Sequence, residues 1–426
     1  MSKEKKLWRK PRAAALLRPT LWLCMFCAWS MASSCSPVPD LIRRGDALAK
    51  EKKYADALAL YAKADKHETD SVQGLCRAGN LQLELDRADL ALRAYEQALE
   101  KLPDSAKAYL GLARTYLAKG IESIAIQALE KVIELDPENP GPWFIKGNIL
   151  NKQGNKEQAV EMYAQAIRRD NMHTEAFMKR GDIFFTQGDL AKALKTYSQA
   201  IRSDPKNSEA LVQIGRTYLL AKKYDRAMKT LHKATLVDRR NAWAQFYLGE
   251  ALFFRRQVDK AIMAYQKALR LDKRLGTAYV RLGQIYEGNL MADRAYDSYR
   301  RAVDADPKCF EGYLNLARLQ LDRKKKALAS RTLQKALDVE ADCEPCRVLL
   351  GRLKLEQRHY KAAIEVLKEV VQSNYTNNEA HFYLGQAYLG VGMIAKATAE
   401  YNALAMANDE ERANALLEMI NSKQRR

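Results

Sequence analysis

The chain has 426 residues, of which 47% are hydrophobic and 29% charged, and only 11 are proline. This is the composition of a folded, helix-rich protein and excludes a disordered one. Its formal net charge of +19 is compatible with nucleic acid, anionic lipid or an acidic protein as a partner. A chain of this length would ordinarily hold two or three globular domains, but its internal period, described below, overrides that expectation.

The segment before Cys35 has the pattern of a secretory signal peptide. A basic lead that ends at Arg18 contains one acidic residue, Glu4, and precedes the apolar run 21–32 and two serines. The run is about a dozen residues long, whereas a helix that spans a bilayer needs about 20. We therefore predict a signal peptide over residues 1–34.

Cys35 resembles the lipid-modified cysteine of a bacterial lipobox, although Ala32 stands where that box usually has leucine. The resemblance implies cleavage before Cys35, acylation, export, and a short tether over 35–37. Ser36 resembles the sorting signal for the outer membrane, where the protein would face the periplasm. Two acyl chains anchor firmly, whereas one is marginal. Plain secretion and an uncleaved anchor are the alternatives, and export argues against nucleic acid.

From position 38 to position 411 the sequence repeats with a period of 34, as from Gly181 to Gly215, and without insertion or deletion. Numbered within a repeat, position 8 is nearly always glycine, position 20 is always alanine, and position 24 is tyrosine or leucine. Such a period is the signature of a solenoid, in which each repeat contacts its neighbours. The eleven repeats are 38–71, 72–105, 106–139, 140–173, 174–207, 208–241, 242–275, 276–309, 310–343, 344–377 and 378–411.

Each repeat predicts two helices, over positions 1 to about 14 and about 18 to 31. In the repeat 174–207, Tyr197 and Ala200 lie on one apolar face at helical spacing, and Pro205 ends the second helix. A glycine inside a helix costs about 1 kcal/mol relative to alanine. Its recurrence, as at Gly181, therefore predicts close approach of a neighbouring helix, with position 24 as the large residue between them.

These features together resemble the tetratricopeptide repeat over residues 38–411. The resemblance implies an all-α, right-handed α-solenoid of about eleven helix–turn–helix repeats. It also implies a concave groove, lined by the first helix of each repeat, that binds protein or peptide segments. Residues 412–426 keep a helical apolar pattern and end in basic residues, so we predict a capping helix with a basic tail. A basic peptide that contacts a partner is the alternative.

In this family, positions 2, 6 and 9 of the first helix face the groove. Arginine, tyrosine and tryptophan are enriched at binding hot spots, and these types recur at those positions. The alternative for any one of them is a solvated helix face with charged neighbours. The predicted partner-binding residues are Arg77, Arg114, Asn148, Lys179, Arg216, Trp243, Tyr247, Arg281 and Arg318.

The sequence contains no motif that predicts catalysis. Its five histidines form no zinc-binding pair and no serine nucleophile motif is present, so we predict no enzyme activity, no cofactor and no metal. Cys343 and Cys346 flank Glu-Pro at the junction of repeats 9 and 10. In an exported protein a local disulfide is the favoured state; free thiols or a redox or metal role are the alternatives.

We therefore predict an exported, lipidated bacterial scaffold that helps to assemble or export an envelope structure. It resembles the tetratricopeptide lipoproteins that accompany pilus secretins or exopolysaccharide export, and the repeats do not distinguish the two. One alternative is a surface protein whose basic turns, such as Lys222–Lys223 and Arg323–Lys326, contact anionic lipid or polysaccharide. Another is a cytosolic or membrane-anchored regulatory scaffold.

Overall fold

The structure is a computed structural model that describes residues 37–67 and 72–425. The predicted signal peptide and Cys35 lie outside the described residues. Within the described ranges the chain is helices joined by short turns, with no strand. It forms two compact bodies, an N-terminal body that ends at Asn171 and a C-terminal body that begins at Met172. Each is described by itself below.

The helices follow one another at regular intervals through both bodies. The described part of the N-terminal body contains α1 Val38–Lys50, α2 Tyr54–His67, α3 Gln73–Glu84, α4 Ala88–Lys101, α5 Ala106–Ala118, α6 Glu122–Leu135, α7 Pro140–Lys152 and α8 Lys156–Arg169. The described part of the C-terminal body contains α9 Thr174–Thr186, α10 Leu190–Ser203, α11 Ser208–Leu220, α12 Tyr224–Val237, α13 Ala242–Phe254, α14 Val258–Leu271, α15 Gly276–Gly288, α16 Ala292–Ala305, α17 Phe310–Asp322, α18 Lys326–Val339, α19 Glu344–Glu356, α20 Tyr360–Ser373, α21 Asn378–Gly390, α22 Ile394–Met406 and α23 Glu410–Gln424.

Up to α22, odd-numbered helices are the first helices of the repeats (A helices) and even-numbered ones the second (B helices). The side chain of Asn207 accepts a hydrogen bond from the Ala210 backbone N–H and so caps α11, as asparagine commonly does. At the end of the preceding repeat, α10 stops before Asp204, which is extended and precedes Pro205. Local signals thus set both ends, and the predicted all-α repeat solenoid is confirmed.

The recurring glycine makes room for a side chain of the B helix. A Cβ on Gly181 would lie only 2.5 Å from Cε1 of Tyr197, and one on Gly215 only 2.4 Å from Cγ of Leu231. Both partner side chains are fully buried. The predicted close approach is therefore confirmed, and its object is the position-24 side chain of the same repeat. A Cβ at Gly181 or Gly215 would therefore force that side chain to shift.

The last repeat departs from this arrangement. A Cβ on Gly385 would lie 2.5 Å from Cδ2 of Leu416, which belongs to α23. Tyr401, the position-24 residue of this repeat, is only partly buried. Ala413 and Ile420 are buried with Leu416 on the same face of α23. The terminal helix therefore supplies the large side chain that a B helix supplies elsewhere.

The turn between the A and B helices places position 15 in the left-handed backbone region. Glycine adopts this conformation freely, but other residues pay about 1–2 kcal/mol. Four repeats use glycine, at Gly120, Gly154, Gly188 and Gly392. The other seven use Lys52, Asp86, Lys222, Arg256, Leu290, Lys324 and Arg358. Because most of these are not glycine, the sequence pattern did not reveal the requirement.

The cysteines of the C-terminal body differ in state. Cys343 and Cys346 are joined by a disulfide at the start of α19, with their Cα atoms 5.3 Å apart. Cys309 is a buried free thiol, as is Cys76 in the N-terminal body. Through residues 37–67 and 72–425, no helix is long and apolar enough to cross a membrane.

Candidate functional site

The predicted partner-binding residues lie on one face of the A helices, which we call the A-helix face: positions 2, 6, 9 and 12. Residues at this spacing project from one side of a helix. On this face, a side chain of one repeat meets a side chain of the repeat before it, as the contacts below show. The face therefore joins successive A helices within each body.

A row of three aromatic rings and one guanidinium crosses three repeats of the C-terminal body. The Arg216 guanidinium on α11 lies between two rings, 5.0 Å from the centroid of Phe185 on α9 and 5.1 Å from that of Tyr247 on α13. Tyr247 in turn stacks on Trp243, with centroids 5.7 Å apart. We call these four residues the aromatic ladder. It brings together Arg216, Trp243 and Tyr247, three of the predicted partner-binding residues, and adds Phe185.

Ring contacts hold Arg216 in place at the centre of the aromatic ladder, whereas Trp243 at its end is exposed to solvent. Cation–π contacts within about 6 Å stabilise by about 0.5–1 kcal/mol at exposed sites. Burial raises the pKa of Tyr247 above its ordinary value, and neighbouring Arg216 opposes that shift. Trp243 keeps 45% of its surface exposed. The ladder thus offers a flat indole at the end of an ordered row, and a peptide side chain can stack on it.

A second candidate site is a cavity of about 270 Å³ on the A-helix face of the N-terminal body. Its walls carry Arg77, Lys107 and Arg114, and its lining includes no acidic residue. Gly111, at position 6, also lines the cavity, and a Cβ there would lie 2.1 Å from the Tyr95 ring. The structure therefore brings Arg77 and Arg114 together in a basic recess that suits a carboxylate.

Three of the predicted arginines pair with a carboxylate of the preceding repeat. Arg281 Nε donates to Glu250 at 3.0 Å, and Arg318 donates to Glu287 at 2.9 Å. Arg77 approaches Asp46 at 3.4 Å. Partly exposed pairs of this kind contribute about 0–1 kcal/mol. These arginines help to set the register of adjacent repeats, so they are less free for a partner than the sequence suggested.

Position 9 is tied to position 24 by a hydrogen bond that the sequence analysis missed. Asn148 accepts from the Tyr163 hydroxyl at 2.8 Å, and Asp182 accepts from Tyr197 at 2.7 Å. Asn148 is therefore part of the repeat's internal structure as well as its A-helix face.

Where position 24 is leucine, no hydroxyl needs an acceptor, and position 9 is arginine. This holds in all four repeats that have leucine there. The pairs are Leu129 with Arg114, Leu231 with Arg216, Leu333 with Arg318 and Leu367 with Arg352. The signal was present in the sequence as this pairing of two positions.

The remaining predicted residue, Lys179, is exposed on α9 and lies near Asp182, whose pKa burial raises and Lys179 partly lowers. In the described part of the chain, no three His, Cys, Asp or Glu side chains are grouped so as to hold a metal. Cations, amides and aromatic rings dominate the two candidate sites. Such groups are common at peptide-binding surfaces.

Sequence profiles described as tetratricopeptide repeat match most of the repeat region. The matches cover residues 76–140 and 146–208 with one profile, and 184–248 and 354–420 with a second. Three further profiles match 128–161, 276–309 and 243–272. The chain therefore belongs to the tetratricopeptide repeat family.

Solved structures with similar folds include MamA, at 27% identity over 38% of this chain and 96% of MamA, with a TM-score of 0.35. YrrB, a TPR protein with an unusual peptide-binding site, matches at 24% identity over 43% of this chain and 95% of its own, with a TM-score of 0.36. The Cut9–Hcn1 hetero-tetramer of APC/C matches at 16% identity over 93% and 88%, with a TM-score of 0.49. No curated protein sequence matches significantly.

Membership of the family defines the class of protein. Tetratricopeptide repeat proteins are typically non-enzymatic scaffolds that bind proteins or peptides. The chain is accordingly a protein-interaction scaffold built as an all-α repeat solenoid.

Proposed function

We propose that the A-helix face of α9, α11 and α13 binds an extended segment of a partner protein. The observation that carries this proposal is the aromatic ladder, which orders Arg216 between two rings and leaves Trp243 open. Arginine and tryptophan at the centre of an ordered surface are the usual hot spots of a protein interface. Because these side chains are already held in place, the scaffold loses less conformational entropy when a partner binds.

We infer that this scaffold works in the bacterial cell envelope. The support is the sequence up to Cys35, in which a basic lead, a short apolar run and a cysteine after two serines resemble a lipoprotein signal. Acylated Cys35 anchors the protein in the outer membrane, facing the periplasm. There it assists assembly or export of an envelope structure such as a pilus secretin or an exopolysaccharide system.

The binding proposal is tested by affinity capture from envelope fractions with Arg216→Glu beside wild type. Reversing this charge breaks both ring contacts, so a partner captured by wild type is lost. Arg202→Glu on α10, an exposed B-helix arginine, changes the charge equally and keeps the partner. Equal capture by all three proteins contradicts the proposed surface.

The anchor is tested by metabolic labelling with palmitate. Wild type takes up the label and Cys35→Ser does not; labelling that survives this substitution contradicts lipidation. A reporter fused to the C-terminus and active only outside the cytoplasm distinguishes this proposal from a cytosolic scaffold.

A second candidate function is contact with anionic lipid or polysaccharide through the turns of the C-terminal body. Leu290 favours it, because this leucine is 92% exposed at a left-handed turn position, and other turns carry Lys222, Lys223 and Lys324. Charge reversal at Lys324 and Lys325 abolishes this function and leaves protein capture intact. The proposed A-helix face predicts the opposite, with loss only on Arg216→Glu.

A further inference from the structure

A further cavity lies on the other side of the C-terminal body, between two B helices. It has a volume of about 590 Å³ and is lined by α14, α15 and α16. Leu269 and Leu282 are buried in its floor beside Tyr279 and Tyr286 of α15. We call this cavity the B-helix cleft. It is separate from the aromatic ladder and shares no residue with it.

Two cations stand on each wall of the cleft. Arg270 and Lys273 line it from the end of α14, and Arg294 and Arg301 line it from α16. Among residues 37–67 and 72–425, no carboxylate pairs with any of the four. Asp297 is the single acidic residue of the lining. The cleft therefore carries excess positive charge that the described chain leaves unneutralised.

The cations form a local feature and not a general property of the repeat. At the equivalent positions of the following repeat, only one of the four is basic: these residues are Asp304, Pro307, Leu328 and Lys335. In the preceding direction the charge continues, because the equivalent positions include three exposed cations, Arg239, Lys260 and Lys267. The basic surface is thus a stripe that passes over α12 and α14 and ends in the cleft.

The dimensions of the cleft suit an extended chain. On each of α15 and α16 the lining runs for about two helical turns, from Tyr279 to Tyr286 and from Arg294 to Arg301. At a helical rise of about 1.5 Å per residue the cleft is about 10 Å long, the length of about three residues of extended peptide. A flat membrane would meet only its rim, whereas a peptide reaches the leucines and tyrosines of the floor.

We propose that the B-helix cleft binds an acidic segment of a partner protein, with carboxylates on the four wall cations and an apolar side chain on the floor. The Arg294 guanidinium, 5.9 Å from the Tyr286 ring centroid, links wall to floor. Arginine forks bind carboxylates bidentately, and opposite charge on a peptide accelerates its association. The chain's own tail cannot fill the cleft, because residues 423–426 carry three cations. The scaffold thus has a second docking surface with its own specificity.

The test measures binding of a fluorescein-labelled synthetic peptide, a leucine flanked by glutamates on both sides, to the full chain by fluorescence anisotropy. Arg270→Glu/Arg301→Glu reverses one cation on each wall and weakens binding at least about tenfold. Lys335→Glu/Lys368→Glu is the matched control, because these exposed lysines of α18 and α20 lie outside the cleft and change the net charge equally. Binding by the control stays within about twofold of wild type. Circular dichroism checks folding, and Lys273→Glu replaces the double variant if that one unfolds.

Four results overturn the proposal. The first three are that wild type does not bind the peptide, that both double variants lose binding equally, or that only Arg216→Glu loses it. The fourth is that Arg270→Glu/Arg301→Glu still binds the peptide but no longer binds anionic phosphatidylglycerol vesicles. The last result would assign the cleft to a membrane. Because Arg216→Glu leaves this binding intact, failure of the cleft and failure of the A-helix face are distinguishable.

Discussion

At the scale of single residues, the pair at positions 9 and 24 defines two kinds of repeat. A position-24 tyrosine brings a hydroxyl to the A helix, and a short acceptor such as Asp182 or Asn148 satisfies it. A leucine at position 24 has no hydroxyl that needs an acceptor, so position 9 can be an arginine such as Arg216. The residue chosen at position 24 in the core therefore goes with whether position 9 of the A-helix face is an arginine.

Tyr197→Phe tests the first kind of repeat. It deletes the hydroxyl that donates to the half-buried Asp182 and keeps the ring against Gly181. We expect the free energy of unfolding to fall by about 1–2 kcal/mol, because a hydrogen bond to a carboxyl group is lost within the protein. Urea denaturation measures the change. Tyr375→Phe, at a ring that is 67% exposed, has little effect, and equal losses in both variants contradict this account.

Leu290→Gly tests the left-handed turn. Leu290 has a φ of 60° and little packing to lose, so glycine relieves backbone strain at almost no cost in buried surface. We expect thermal unfolding to shift upward, by about 1 kcal/mol in free energy. Met291→Gly is the control, because this neighbour has an ordinary φ of −91° and glycine there brings no gain. A stabilisation shared by both would show that strain is not the cause.

At the scale of helices, α21 and α22 are tied by a buried imidazole. His381 is 2% exposed, and its Nε2 lies 2.9 Å from the carbonyl oxygen of Tyr375, which can only accept a hydrogen bond. Nδ1 faces the carboxylate of Glu400. The hydrogen bond to Glu400 raises the pKa of His381, partly opposed by burial. The protonated ring therefore satisfies both neighbours.

This tie predicts a pH dependence of stability. The pKa of His381 is higher in the folded protein than in the unfolded chain, so the protonated ring stabilises the fold. This stabilisation is complete below the unfolded-state pKa of about 6.5 and is lost as pH rises through the folded-state pKa. Tyr388 also lies near Glu400 but is neutral over this range. We expect the difference in free energy of unfolding between wild type and His381→Asn to be larger at about pH 5.5 than at about pH 9. A difference that grows with pH contradicts the assignment.

The elements could be predicted from the sequence because their signals are local. Helical spacing, Pro205 and the recurring glycine all lie within a single repeat, and they fixed the helices and the contact at position 24. The candidate site was predicted only in part. Arg216 was found at position 9, but its partner Phe185 lies at position 12 of the preceding repeat. Such contacts depend on how successive repeats pack, which spacing within one repeat does not encode.

At the scale of the whole molecule, α23 packs against the repeat 378–411 through Leu416. Leu416→Ala removes a fully buried side chain from the contact with Gly385 and should cost about 2–5 kcal/mol. The loss concentrates in α21 and α22, because each repeat depends on its neighbours. Hydrogen exchange locates it, and Met419→Ala, at a side chain that is 40% exposed, is the matched control. Uniform loss of protection over all helices contradicts a local cap.

The cysteines give a test of the redox state of the molecule. In denaturant without reductant, Cys76 and Cys309 react with iodoacetamide, whereas Cys343 and Cys346 in the tryptic peptide 336–347 react only after reduction. In the native protein, burial raises the pKa of the first two thiols to about 11, so they react slowly there too. Mass spectrometry reads both states. Alkylation of peptide 336–347 before reduction contradicts the disulfide.

The contact between Gly181 and Tyr197 closes within one repeat, and this makes the repeat a genetic cassette. Loss or duplication of the codons for one whole repeat leaves each such contact intact and changes only how many recognition positions the face offers. Gly385 is the exception, since its partner lies beyond the repeat in α23. Gain or loss of an interior repeat is therefore tolerated, whereas the repeat 378–411 and α23 must be kept together.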